Sequence, residues 1–66
     1  MDAFPELVRQ EVRHQISLQL LELSFIEVAN VVEAILQLLP EHASRREELH
    51  VLVVQQCVAK GVPIKF

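Results

Sequence analysis

The sequence predicts an all-α fold: a helical hairpin with one long helix over about residues 5–39 and a second over about 45–60, dimerising into a four-helix arrangement. Three observations predict it. No glycine or internal proline interrupts the chain from Pro5 to Leu39. Apolar residues in that stretch recur at alternating spacings of three and four. The following segment carries helix start and stop signals at both ends.

Pro5 suits the first turn of the long helix, because its missing N–H would be unsatisfied there in any case. Glu6 complements the helix dipole, and Pro40 forces Leu39 out of the α region. One face reads Gln15, Gln19, Glu22, Ile26, Asn30, Glu33 and Gln37, polar except at Ile26. The opposite face, Leu18, Leu21, Phe25, Val28, Val32, Ile35 and Leu39, is an a/d-type seam. Leu20, Ala29, Val31, Ala34, Leu36 and Leu38 widen it to roughly two thirds of the circumference, well beyond the ~100° stripe of a one-sided helix. Such a surface needs cover from two directions, hence the expected dimer. Ser24-Phe25-Ile26-Glu27 competes with this reading, since it fits a capping box and would divide the chain into helices of about 5–22, 25–39 and 45–60. The polar face runs through Ser24 without a change of phase, which favours one helix, bent at most.

Residues 40–44 are a connection short enough to return the chain antiparallel. Ser44-Arg45-Arg46-Glu47 is a second capping box, Lys60 sits near the negative helix end, and Gly61 with Pro63 marks the stop. The β-branched run Val51-Leu52-Val53-Val54 would suit a strand, but the signals at both ends favour a helix. Residues 62–66 read as an extended tail, with Ile64 and Phe66 free to fold back over a helix end or to reach another chain. The whole is one small domain, 1–66.

A 66-residue chain buries only about 60% of the surface its unfolded form exposes, so small domains lean on disulfides, metals or partners. The single cysteine, Cys57, excludes an internal disulfide and suggests a reducing compartment, and no Cys/His group has zinc-finger spacing. Partner burial is left. The formal charge is −3, and the basic residues are dispersed as Arg9/Arg13, Arg45/Arg46 and Lys60/Lys65 without aromatic residues between them, so nucleic acid is an unlikely partner. Met1-Asp2-Ala3 lacks the basic start of a signal peptide, and apolar runs are far short of the ~20 residues that span a bilayer. A cytoplasmic protein without membrane contact is expected.

Chemistry-bearing constellations are weak. Glu47-x-x-His50 is the half-motif of di-metal helix bundles, but Glu22 and Glu33, which would complete it, lie on the polar face. His50 and Cys57 are two turns apart, about 10 Å, too far for a thiolate–imidazole pair. His14 and His42 are isolated, and a single glycine rules out a Gly-rich phosphate loop. A DNA-binding regulator of helix-turn-helix type and a metal-binding helical bundle are the alternative readings, yet for the first the segment after Arg45 and Arg46 continues apolar where a recognition helix needs a polar outer face. No catalytic residue and no cofactor are expected.

The expected dimer or partner interface comprises Leu21, Phe25, Val28, Val32, Ile35, Leu39, Leu49 and Val53, with Phe4, Ile26, Ile64 and Phe66 as exposed anchors. The expected function is non-enzymatic protein binding: a homodimeric adaptor, or an inhibitor occupying the interface of a regulatory or defence protein. In size and shape it is similar to small helical antagonists encoded by phages and mobile elements.

Overall fold

The computed structural model describes residues 3–65 and is mostly helical. The long helix is replaced by two. Helix α1 (Glu6–Glu22) stops where Leu23 turns extended at φ −124°, ψ 153°, its N–H donating to the Gln19 carbonyl at 2.8 Å. A short bend leads to strand β1 (Ile26–Glu27), and helix α2 (Val28–Leu38) begins at once.

Helical phase explains the correction. Val8, Val12 and Ile16 are the buried stripe of α1, and Val28, Val32 and Ile35 belong to that of α2. On one continuous helix, Val28 would lie roughly 120° and Val32 roughly 160° around the axis from Ile16. The extended joint turns the Val8–Val12–Ile16 stripe of α1 and the Val28–Val32–Ile35 stripe of α2 onto a common core, while Leu18, Leu20, Leu21 and Leu38 of the expected wide arc stay exposed.

Neither capping box forms. The residue preceding α2 is Glu27, not Ser24, and its carboxylate accepts a hydrogen bond from Asn30 Nδ2 at 2.8 Å. Residues Pro40–Arg45 wind into a 3-10 segment, so Arg45 rather than Ser44 precedes helix α3 (Arg46–Lys60). Glu47 and Glu48 still place negative charge at the positive end of α3. The other end follows expectation: Gly61 is left-handed at φ 70°, its N–H reaches the Val58 carbonyl, and Val62 N–H reaches that of Cys57 at 3.0 Å. These are the two bonds of a Schellman motif.

Beyond Gly61 the tail folds back on its own chain. Strand β2 (Ile64–Lys65) pairs parallel with β1, Ile26 opposite Ile64 and Glu27 opposite Lys65, and Ile26 N–H donates to the Pro63 carbonyl at 2.9 Å. Parallel strands need a long crossover. Here α2, the 3-10 segment and α3 supply it.

The core lies among the three helices and this small sheet. It holds Phe4, Val8, Val12 and Ile16, then Ile26, then the α2 stripe with Val31 and Leu36, then Leu49, Val53 and Cys57. Among the described residues no buried side chain is polar or charged, and no helix is long and apolar enough to cross a membrane.

Ile26 is fully buried, against its expected role as an exposed anchor, because the joint turns it inward beneath Ile64. Ile26→Arg should therefore abolish cooperative unfolding in urea, and Ile26→Ala should cost about 2–5 kcal/mol. Gly61→Ala isolates backbone strain, since an added Cβ would meet nothing within 4 Å. It should lower stability by about 1 kcal/mol in the same urea experiment.

Candidate functional site

The expected interface residues fall into two groups. Val28, Val32, Ile35, Leu49 and Val53 are buried by the chain itself, and Leu39 packs partly against the same core. While the fold holds, these side chains offer nothing to a partner. Phe25 is half-buried, with Lys65 Nζ 5.3 Å from its ring centroid. Leu21 is the exception, 83% exposed on the outside of α1.

The expected anchors divide likewise. Phe4 is buried rather than exposed, since the chain before α1 lays its ring at the head of the Val8–Val12–Ile16 stripe. Ile64 is half-buried against the core as the register partner of Ile26. Phe66 lies outside the described residues.

Sequence reasoning missed the outer face of α1. Leu7, Leu18 and Leu21 are exposed there, and Leu7, His14 and Leu21 recur every seven residues, opposite the buried Val8, Val12 and Ile16. Leu20 and Leu23 are exposed where α1 runs out. The signal was present in the seven-residue spacing, but assigning Leu18 and Leu21 to the long seam concealed it. Close by, Gln19 Oε1 is shielded from solvent with no hydrogen-bond donor, an uncompensated polar atom.

A second feature is an open groove of about 400 Å³ between the start of α1 and the outer side of α3. Phe4, Val51 and Leu52 give it apolar walls, and Arg9, Arg45 and Glu48 stand at its polar edge. Phe4 is held from two sides: the Arg45 guanidinium lies 3.9 Å from its ring centroid, and the His42 ring meets it edge-on at 5.8 Å. The 3-10 segment makes this possible by carrying His42 and Arg45 on one short tight coil beside Phe4. Arg45 also bonds Glu48 one turn along α3.

Charge elsewhere is internally matched. Arg13 reaches Glu6 at 2.8 Å, two turns along α1, and Arg46 of α3 bonds Glu33 of α2. The bond and charge of Arg46 hold the Glu33 carboxyl below the usual range, and Glu33 in turn raises Arg46. Among the described residues Arg9 pairs with no carboxylate.

Glu47 and His50 are both exposed on α3, and among the described residues no three His, Cys, Asp or Glu side chains gather into a metal-ligating group. Cys57 is a buried core residue whose thiol is pushed up by burial, with the Lys60 charge pulling weakly the other way. The outer side of α3 alternates acidic, apolar and amide residues: Glu48, Val51, Gln55 and Val58.

No family model, curated protein or solved structure matches the chain.

The Glu33–Arg46 pair supplies a check on the packing of α2 against α3. A carboxyl held low favours the folded state above its unfolded pKa, and that contribution is lost as pH falls through the folded value. NMR titration should find Glu33 below the ordinary carboxylate range, and Arg46→Gln should return it to that range. Because both side chains are exposed, the variant should unfold at nearly the wild-type urea concentration.

Proposed function

We propose that this chain is a non-enzymatic helical protein-binding module that works as a homodimer, an adaptor or stoichiometric inhibitor rather than a catalyst. One observation carries the reading: the leucine face on the outside of α1. Leu7 and Leu21 are 63% and 83% exposed, though leucine gains by leaving water. Scattered exposed leucines need no explanation, but these share one helix face with Leu18.

The spacing selects a second copy as the occupant. A two-fold interface requires a surface that is complementary to itself. Leu7 and Leu21 lie seven residues either side of His14, so an antiparallel pair of α1 helices centred on His14 sets Leu7 against the partner's Leu21, and does so twice. Leu18 widens the same stripe. Pairing of this kind brings together two three-helix units, not two hairpins, and leaves α3 free on each side for another protein.

Sedimentation velocity of the full chain tests this. The wild type should sediment at twice the 7.6 kDa chain mass. Leu21→Glu should sediment at the chain mass with unchanged helical circular dichroism, since Leu21 contributes almost nothing to the core. A wild type that stays monomeric at high concentration, or a Leu21→Glu variant that still dimerises, would refute the assignment.

A further inference from the structure

We propose that the groove beside Phe4 receives an acidic amphipathic segment of another protein, one apolar side chain filling it while an adjacent carboxylate pairs with Arg9. This goes beyond self-pairing and uses a different side of α1, because Arg9 lies roughly 160° around the helix from Leu7.

Three observations converge on that occupant. The groove is open, with apolar walls of Phe4, Val51 and Leu52 and a volume of about 400 Å³, ample for an apolar side chain of a docked segment. Its walls are fixed before anything binds: the Phe4 ring is held by Arg45 and His42, and Arg45 by Glu48. A preformed wall lowers the ordering cost of association. The edge is electrostatically incomplete. Arg13, Arg45 and Arg46 each meet a carboxylate, whereas Arg9, exposed at the mouth, meets none among the described residues. A guanidinium that meets no carboxylate among the described residues, set beside an apolar cleft, selects locally for a ligand that is apolar and anionic at once.

The shape favours a helix. Val51 and Val58 are both exposed and seven residues apart, so the apolar rim continues for two turns along α3 past Gln55. A second helix laid along that rim would seat side chains at i and i+4 or i+7.

The test is NMR on the isotopically labelled full chain with two synthetic helix-forming peptides of about twelve residues, roughly three turns each. Both carry a leucine stripe; one flanks it with glutamate and the other with lysine. The glutamate peptide should shift the amides of Arg9, Arg45, Val51 and Leu52, and the lysine peptide should leave them unmoved. Arg9→Glu should weaken the glutamate peptide about tenfold and let the lysine peptide bind. Arg9 is exposed and meets no carboxylate among the described residues, so this variant should keep the fold, which circular dichroism verifies. Equal binding of both peptides, no binding of either, shifts confined to the Leu7–Leu21 face, or indifference to Arg9→Glu would each overturn the proposal. Movement of the groove amides with protein concentration alone would also overturn it, since the occupant would then be a second copy. Loss of dimerisation in Leu21→Glu, by contrast, should leave peptide binding intact, so the two assignments fail separately.

Discussion

Everything in this fold depends on the extended joint between α1 and α2. Five residues, 23–27, leave the helical path after Glu22, and the consequence is a change of phase rather than of composition. Without it the core stripes of α1 and α2 would face directions more than a right angle apart. With it they meet over Leu49, Val53 and Cys57 of α3. The joint is itself fixed by hydrogen bonding, because Ile26 N–H donates to the Pro63 carbonyl and β1 lies in register with β2. The smallest element of secondary structure thus decides how the largest ones pack.

Electrostatics divides the molecule differently from packing. Among the described residues no buried side chain is polar or charged, so the core contributes burial alone and charge is confined to the surface. There, ion pairs run along α1, across the start of α3 and between α2 and α3. Exposed pairs of this kind add little to stability. Their effect is on which surfaces remain available: most guanidinium groups are already matched, and the apolar exposure concentrates on α1 and the outer side of α3.

Much of the helical content was legible in the sequence, and the reason for what was not is instructive. Proline at both ends of residues 5–39, together with unbroken apolar periodicity, correctly indicated helix but could not separate one helix from two. A polar face that keeps phase through Ser24 looks continuous on a helical wheel. The decisive contact, Ile26 with Ile64, joins positions that only the tertiary fold brings together. Ile26 did carry a warning, as the single apolar residue on a polar face. Read as an exposed anchor, it was in truth evidence that the face did not exist. Gly61 was easier because its requirement is local: a left-handed backbone and two bonds to the preceding turn. The groove depends on Phe4, His42 and Arg45 converging from distant positions, and no spacing rule exposes that.

The strand pair also bears on how the molecule comes together in time. Nearly all helical contacts are local, of the kind that form within microseconds. Ile26 and Ile64 stand 38 positions apart, and their pairing must close a loop made of most of the later chain. Loop closure is paid in entropy before burial rewards it. On that entropic ground the strand pair is costlier to close than the short connections that bring α1 onto α2 and α2 onto α3. In the reverse sense, a pair of two-residue strands has few backbone bonds to lose, so its detachment would free the joint while Val8, Val12 and Ile16 still hold α1 to the common core.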